Sequence, residues 1–266
     1  MIFDFHTHIF PDQIAPKTIP HLAKVSGIPA HTDGTAHGLL QSMEEAEVDL
    51  SIVLPVVTKP SQFDSINAFA KSINENYKGQ LLSFGGIHPD CENYKEKLKQ
   101  IKNMGLPGIK LHPDYQGVMI DDLRYMNIMD YASELDLITV IHAGIDIGLP
   151  EPVHCPPDKT RKVLDQIKPK KVVLAHLGGW GQWEAVYEYL AGQPVYLDTA
   201  FIFDYVDQDM FMKIWEKHDK DKILFASDSP WSHVAKGIEW IKQLPLTEEE
   251  RQAVLFENGK KLLNLK

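Results

Sequence analysis

Cysteine is almost absent from this chain, which has only Cys91 and Cys155 among its 266 residues. Two cysteines so far apart in sequence form no disulfide framework, and they suit a reducing compartment better than an extracellular one. The chain also lacks a basic leader followed by an apolar segment, and it has no long uncharged apolar run. We therefore expect a cytoplasmic protein that is neither exported nor inserted in a membrane.

Positive charge is also in short supply, with 27 Lys and Arg residues against 37 Asp and Glu and a net charge of -10. Such a surface repels a phosphate backbone over most of its area, so nucleic acid is not an expected partner. The hydrophobic content of 44% is enough to bury a large core. These proportions favour an ordinary globular protein whose general partner is not nucleic acid.

Eight apolar runs rich in Val, Ile and Leu alternate with segments of helical periodicity. The runs predict strands at 2–8, 51–57, 81–89, 108–113, 137–144, 171–179, 194–200 and 222–231. Eight strand–helix units at this length predict a single (β/α)8 TIM barrel over residues 1–266. An open doubly wound sheet is the alternative, but the chain lacks the G-x-G-x-x-G motif that such a sheet would carry.

Two local features of the connections are also predicted. The segment 10–35 is rich in Pro and small polar residues and has helical spacing only at 14–25, so we expect a mobile lid over the site. A helix at 122–135 is expected to begin at Asp121 as its cap.

Ionisable side chains stand where the predicted strands end. They are His6 and His8 in strand one, Lys110 and His112 in strand four, His142 in strand five, His176 in strand six and Asp228 in strand eight. The active site of a TIM barrel lies at these strand ends. Because side chains two positions apart share a face, the pair in strand one can bind one cation. The same parity places Asp4 beneath that pair, where it could hydrogen-bond a free ring nitrogen.

Three neutral nitrogens and one carboxylate, from His6, His8, His142 and Asp228, form a ligand set that suits Zn²⁺ and tolerates Mn²⁺ or Fe²⁺. A bound cation would lower the pKa of its water towards about 7 and polarise a carbonyl group. Asp228 is placed to take that proton and pass it to the leaving group. His176 would either polarise the substrate or bind a second ion.

Lys110 decides between one metal ion and two. An isolated ammonium in the barrel mouth is costly, so this lysine should be paired, lowered in pKa, or converted to a carbamate that binds metal. As an ammonium it would hold a substrate carboxylate beside one ion. As a carbamate it could bridge two ions, the second held by His142 and His176. We expect one tightly held ion, with a second dependent on the state of Lys110.

Four further residues are candidate substrate contacts. His112 shares the inward face with Lys110, and His154 lies in a Pro-rich loop from which it could reach over the mouth. Ser229 and Trp231 follow Asp228 directly and could line the pocket.

This order of residues resembles the amidohydrolase superfamily of metal-dependent barrels: His-x-His at strand one, Lys at strand four, IHAG at strand five, LAHLGG at strand six and FASDSPW at strand eight. The chain looks closest to the amidohydrolase 2 branch, which includes aminocarboxymuconate-semialdehyde decarboxylase and lactone hydrolases. The resemblance covers essentially the whole chain. Lys110 departs from the decarboxylases of that branch, which typically lack this lysine and hold one metal.

The resemblance implies a metal-dependent hydrolase that opens a C–N or C–O bond, as in an amide or lactone, of a small carboxylated substrate. A non-oxidative decarboxylase on the same metal site is the alternative. A TatD-like nuclease shares the first two histidines but would carry a glutamate in place of Lys110. A binding protein on a decayed barrel is disfavoured because no ligand position is missing. Barrels of this kind often pair, but no patch in the sequence demands a homodimer, so the oligomeric state is left open.

Overall fold

Short parallel strands form the centre of the molecule, which a computed structural model describes from residue 1 to residue 265. In chain order they are β1 (Phe3–Thr7), β2 (Leu50–Val53), β3 (Leu81–Ser83, resuming at Gly85–Gly86), β4 (Gly108–Leu111), β5 (Ile138–Ile141), β6 (Val172–Leu174), β7 (Tyr196–Asp198) and β8 (Ile223–Leu224). Each strand pairs in parallel with the next one along the chain. Seven of the eight fall within the predicted apolar runs, and β2 begins one residue before its run, at Leu50.

Backbone hydrogen bonds between the first and last strands close the sheet. The Phe5 N–H donates to the Phe225 carbonyl at 2.9 Å, and the Asp228 N–H donates to the His6 carbonyl at 2.9 Å. The predicted (β/α)8 barrel is therefore confirmed. Closure also places the first strand beside the last. His6 and Asp228 therefore become neighbours, although they are 222 positions apart in the sequence.

Helices surround the barrel. They are α1 (Ala15–Ser26), α2 (Ala36–Glu45), α3 (Phe63–Asn76), α4 (Tyr94–Asn103), α5 (Pro113–Gln116), α6 (Leu123–Glu134), α7 (Pro157–Ile167), α8 (Trp183–Tyr189), α9 (Gln208–Lys217), α10 (Val234–Gln243), α11 (Glu248–Gln252) and α12 (Asn258–Leu262). The cap of α6 is Asp122, whose carboxylate accepts from the Arg124 N–H at 2.9 Å. The prediction of Asp121 was wrong because that carboxylate instead pairs with Lys159 at 3.0 Å.

Strand β4 shows how the alternation of side chains sorts the core from the site. Ile109 and Leu111 are fully buried in the apolar core that also includes Tyr125 and Ile128 of α6. Lys110, between them, is 1% exposed and points the other way, with its Nζ 3.0 Å from Nε2 of His6. A single strand thus contributes apolar side chains to the helix layer and a charged one to the barrel mouth.

The segment after β1 lies against the mouth of the barrel. Its helix α1 agrees with the predicted helix to within one residue at each end. Phe10, Ile14 and Leu22 of this segment line the main cavity. The segment therefore forms part of the cavity wall, and its role as a mobile lid stays a prediction.

Cys91 and Cys155 are both free and buried, in agreement with the expected absence of a disulfide framework. Among residues 1–265, no helix has the length and apolar character needed to cross a membrane.

His218 makes stability depend on pH at a point away from the barrel mouth. Its Nε2 donates to the Val195 carbonyl at 3.0 Å and its Nδ1 accepts from the Gly192 N–H at 3.1 Å, so the folded ring is neutral. Burial lowers its pKa below the ordinary 6.5. Since the unfolded chain binds the proton more readily, the stabilisation is complete above about pH 6.5 and is lost as the pH falls below that value.

We therefore expect His218→Gln to reduce the free energy of unfolding more near neutral pH than at about pH 5. Urea unfolding of both proteins at the two pH values measures this difference. An equal loss at both values would contradict the assignment of a neutral, hydrogen-bonded ring.

Candidate metal centre

Three potential ligand atoms, from His6, His8 and Asp228, converge at the seam between β1 and β8. The Nε2 atoms of His6 and His8 are 3.1 Å apart. Oδ1 of Asp228 lies 3.1 Å from the His8 nitrogen and 3.5 Å from the His6 nitrogen. Two ligands about 2.1 Å from a tetrahedral metal lie about 3.4 Å from each other. The three separations therefore suit atoms that share one small divalent cation.

The tautomers of the two histidines support this interpretation. Nδ1 of His8 is 2.8 Å from the Leu54 carbonyl and must donate, because a carbonyl only accepts. Nδ1 of His6 is 2.9 Å from Oδ2 of Asp198, which favours a proton on that nitrogen. Burial also lowers the pKa of His6 well below its ordinary value, so the ring is neutral. Both Nε2 atoms then direct lone pairs towards each other. Nζ of Lys110 lies 3.0 Å from the His6 nitrogen, and a divalent cation would satisfy the lone pairs of both rings.

A second pair of nitrogens faces each other at the ends of β5 and β6. Nε2 of His176 is 3.0 Å from Nδ1 of His142, and the other nitrogen of His176 donates to the Ala200 carbonyl at 2.9 Å. Nε2 of His142 is buried without a hydrogen-bond partner, and carboxylate oxygens of Asp114 and Asp146 lie 3.9 Å from it. Two carboxylates on that side favour a proton on Nε2, which leaves a lone pair on Nδ1. The pair is therefore a second place where a cation would fit.

His112 and Asp146 form a neighbouring group that is less suited to metal. Nδ1 of His112 accepts from the Tyr115 N–H at 3.3 Å, which puts the ring proton on Nε2, 3.5 Å from the Asp146 carboxylate. The rings of His112 and His142 stack at 4.1 Å and 10°. Lone pairs in the planes of two stacked rings do not converge on one ion, so His112 offers a hydrogen-bond donor to the cavity instead.

Lys110 lies beside the first group of ligands. Burial lowers the pKa of its ammonium to about 8, against the opposing charges of Asp198, Asp228 and Asp146. The lowered pKa agrees with one of the states expected for a lysine in the barrel mouth. Among residues 1–265, Nζ of Lys110 contacts Nε2 of His6 at 3.0 Å and forms no ion pair with a carboxylate within 4.0 Å, so it lies beside the candidate ligands.

Asp228 combines an ionised carboxylate with an unusual backbone. Burial alone would raise the pKa of this carboxyl, but its polar contacts with the imidazoles of His8, His6 and His176 outweigh burial and hold the pKa below its usual value. Its φ angle of 69° lies in the left-handed region, which Asp and Asn tolerate better than most residues. The backbone turn aims the carboxylate into the mouth.

Three predicted site residues have other contacts than expected. Asp4 was predicted to bind a histidine ring, but its carboxylate accepts from the N–H of Ser227 at 2.8 Å, from the Ser227 hydroxyl at 2.5 Å and from the His6 N–H at 3.3 Å. It therefore ties β8 to β1, and burial raises its pKa to about 7. The ring of His6 is held by Asp198 instead, because Asp198 ends the strand on the far side of the mouth.

His154 and Ser229 were predicted to contact substrate, and the structure places neither in the wall of the main cavity. The N–H and Nδ1 of His154 lie 3.2 and 3.0 Å from Oδ1 of Asp114, which turns the ring towards that carboxylate. Ser229 is buried; its N–H donates to the Ser227 hydroxyl and its carbonyl accepts from the His8 N–H at 2.6 Å. Both residues form hydrogen bonds to residues around the site. His112 and Trp231, in contrast, line the cavity as predicted.

Sequence reasoning missed Asp198, Asp146 and Asp114. Asp198 ends strand seven as the histidines end theirs, so the same argument from strand ends could have found it. Asp146 follows His142 by four positions in a loop, and Asp114 follows His112 by two. Neither the loop that contains Asp146 nor the single helical turn of α5 that contains Asp114 continues the alternation of the preceding strand, so no signal in the sequence indicated where those two carboxylates point.

A cavity of about 590 Å³ opens onto the polar cluster. The ionisable groups of its wall contact one another in one connected cluster: His6, His8, Lys110, His112, His142, Asp146, His176 and Asp228. The rest of the wall is mainly aliphatic and aromatic, with Ile9, Phe10, Leu54, Val56, Ile66, Phe69, Tyr115 and Trp231 among its residues. The site therefore suits a ligand with a charged or strongly polar group attached to an apolar body.

Fold and geometry together define an α/β barrel with a candidate metal centre at the carboxyl ends of its strands. A family model described as amidohydrolase (Amidohydro_2) matches residues 3–265, and the chain therefore belongs to the amidohydrolase family. This confirms the resemblance seen in the sequence. The members of this family are metal-dependent enzymes that include decarboxylases.

Solved structures with the same fold share little sequence with this chain. The 5-carboxyvanillate decarboxylase of Sphingomonas paucimobilis is 12% identical, with a TM-score of 0.73 and coverage of 100% of this chain and 99% of that one. A dihydroxybenzoic acid decarboxylase from a Polaromonas species, solved with manganese and 2-nitroresorcinol, is 14% identical, with a TM-score of 0.73 and coverage of 99% and 97%. An uncharacterised TIM-barrel protein of Bordetella bronchiseptica is 16% identical, with a TM-score of 0.78 and coverage of 99% and 98%. No curated protein sequence matches the chain significantly.

Asp198→Asn tests whether the carboxylate sets the tautomer of His6. Oδ1 of Asp198 accepts the N–H groups of His176 and Ala200 at 2.9 and 3.1 Å, while Oδ2 faces Nδ1 of His6. An amide that keeps its oxygen on the two N–H groups turns its NH₂ towards the ring and moves the ring proton to Nε2. We expect metal affinity to fall by about 10- to 100-fold, measured by calorimetric titration with Mn²⁺ or Zn²⁺.

Asp130→Asn, on the exposed face of α6, is the matched control for the loss of one negative charge. An Asp198→Asn protein that binds metal as tightly as the control would show that the carboxylate does not position His6.

Proposed function

We propose that this protein catalyses metal-dependent, non-oxidative decarboxylation of a small carboxylic acid with an apolar, ring-containing body. The observation that carries the proposal is the composition of the cavity wall, which combines a cluster of Lys110 and histidines with mainly aliphatic and aromatic side chains. The carboxylated aromatic compounds named for the Sphingomonas and Polaromonas decarboxylases have this combination of a charged group and an apolar ring. Hydrolysis was the first expectation from sequence, and the comparisons favour its alternative.

The candidate ligands are His6, His8, His142 and Asp228, with His176 and Lys110 available to a second ion. A divalent ion such as Mn²⁺ or Zn²⁺ would supply a Lewis acid that holds the acid group and withdraws charge from it. In the overall reaction the bond from carbon to the carboxylate breaks, CO₂ leaves, and one proton takes its place on carbon. The side chains of the protein would hold the substrate carboxylate, deliver the proton and exclude water.

The ammonium of Lys110 would donate to the substrate carboxylate and fix its direction. Asp228 and His176 both line the cavity, so they are the candidate carriers of the proton that replaces CO₂. The apolar wall, with Phe69 and Trp231, would pack on the ring and exclude water. Exclusion of water also disfavours hydrolytic side reactions.

Product analysis tests the proposal directly. The protein loaded with Mn²⁺ or Zn²⁺ is incubated with a panel of aromatic carboxylic acids in isotopically labelled water. The expected result is release of CO₂ and an organic product that contains solvent hydrogen on carbon but no solvent oxygen. Incorporation of solvent oxygen without release of CO₂ would overturn it.

Hydrolysis of an amide or lactone is the second candidate, and one observation favours it. His6 and His8 face each other at 3.1 Å, and His142 and His176 face each other at 3.0 Å. Lys110 lies beside the first of these pairs. A carbamate on this lysine could join two ions, one at each pair. Opening of an amide or lactone in the same labelled water would establish this reaction.

A further inference from the structure

The wall of the cavity formed by the connection between β2 and α3 contains a free hydrogen-bond donor. Thr58, Gln62 and Ser65 contribute the polar side chains of this wall, and all three line the main cavity. None of them hydrogen-bonds to an ionisable residue of the metal centre within residues 1–265. These three polar side chains therefore form a group that has no hydrogen bond to the candidate metal ligands.

The orientation of the Gln62 amide is fixed by three donors. Its Oε1 accepts from the Thr58 N–H at 2.9 Å, from the Thr58 hydroxyl at 3.0 Å and from the Lys59 N–H at 3.1 Å. Two of these donors are backbone N–H groups, which cannot accept, so the atom that they contact must be the amide oxygen. The Nε2 group necessarily occupies the other branch of the amide.

The other polar protons of this wall are already used. The Thr58 hydroxyl donates to Gln62 Oε1, and the Ser65 hydroxyl donates to the Gln62 carbonyl at 3.1 Å. Nε2 of Gln62 has no acceptor among the described residues of the chain. Of these three side chains, Gln62 alone therefore offers unused protons to a ligand. A preorganised donor of this kind favours ligands that carry an acceptor and disfavours those that lack one.

Apolar side chains line the cavity together with this donor and the ionisable groups. Leu54, Val56, Ile66 and Phe69 come from the same connection and its flanking elements, and Phe10 comes from the segment after β1. A ligand that reaches both Gln62 and the ionisable groups would therefore also contact apolar side chains.

We propose that Gln62 is a specificity-determining residue that binds an oxygen acceptor, a carboxylate or carbonyl, on the part of the substrate that does not react. The inference rests on the proposed function for the reacting carboxylate. It narrows the substrate class to acids with an apolar core and a second oxygen-bearing group.

Gln62→Glu is the sharpest test, because one carboxylate oxygen of Glu can accept the same three hydrogen bonds. Gln and Glu are also interchangeable in the turn that this residue closes. The change therefore keeps the local fold and replaces only the free NH₂ by an oxygen. Gln100→Glu, on the exposed face of α4, controls for the added negative charge.

The probes are two pairs of acids titrated calorimetrically into the metal-loaded protein: benzoate with terephthalate, and para-linked biphenylcarboxylate with biphenyldicarboxylate. Within at least one pair, the wild-type protein is expected to bind the dicarboxylate about tenfold more tightly or better. In Gln62→Glu that preference should be lost or reversed, while the Kd of the monocarboxylate changes less than about twofold. Gln100→Glu should match the wild type.

Equal effects of Gln62→Glu on both members of each pair, or no effect on either, would overturn the inference. Lack of binding of all four acids to the metal-loaded protein would overturn both this inference and the proposed function. Binding of a dicarboxylate that depends on Gln62, together with no release of CO₂ from any acid of the panel, would overturn the proposed function alone.

Discussion

Asp228→Asn is expected to lower kcat by about a thousandfold or more while the protein stays folded. The amide has the same shape as the carboxylate but has no negative charge and accepts no proton. Asp228 is the only carboxylate within 3.5 Å of both His6 and His8 in the described chain. The substitution therefore removes the one anionic ligand of that group and one of the two candidate proton carriers. Single-turnover kinetics with the best substrate of the panel measures the loss.

The backbone conformation of Asp228 makes Asn a better replacement than Ala for testing the carboxylate. At a φ angle of 69°, Asn is among the residues that tolerate the left-handed region best, whereas Ala adds strain. The hydrogen bond from the Asp228 N–H to the His6 carbonyl needs no side chain, so barrel closure survives. Asp204→Asn, at an exposed position, controls for lost charge. Retention of a tenth or more of wild-type kcat in Asp228→Asn would contradict the assigned role.

The positions of His6, His8 and Asp228 were predictable because barrel strands are short and buried. A continuous apolar run leaves few alternatives to a strand buried on both faces, and the first polar residue after it must lie at the strand end. Lys110 is the clearest example. Its apolar neighbours Ile109 and Leu111 face the helix layer. Because side chains alternate along a strand, Lys110 was expected to face the barrel mouth.

The hydrogen-bond partners of these residues were not predictable in the same way. The partner of the His6 ring is Asp198, 192 positions away, and only the closed barrel brings the two together. Asp4 had the right parity, but Ser227 lies closer to its carboxylate than any ring nitrogen does. His154 was placed over the mouth from its loop alone, and the loop turns it towards Asp114. Alternation fixes the face of a side chain, whereas its partner depends on which strands become neighbours.

Lys110→Met is expected to lower kcat/KM for a carboxylated substrate by about a hundredfold or more, mainly through KM. Met fills the space of the buried lysine stem without its charge, so packing against the barrel interior is retained. A carboxylate that enters the mouth then loses its cationic partner beside the metal. Steady-state kinetics gives the division between KM and kcat, and metal analysis of the same samples gives the number of ions bound.

The metal count distinguishes the two chemical states of Lys110. Three carboxylates, from Asp198, Asp228 and Asp146, act on this lysine. One divalent ion with an ammonium neutralises them, and two divalent ions with a carbamate do so equally well. For a decarboxylase that uses the ammonium, we expect one ion per chain in both the wild type and Lys110→Met. Two ions in the wild type, one in the variant, and incorporation of labelled bicarbonate at Lys110 would contradict this and favour the hydrolase, because a carbamate on Lys110 could bridge ions at the two histidine pairs.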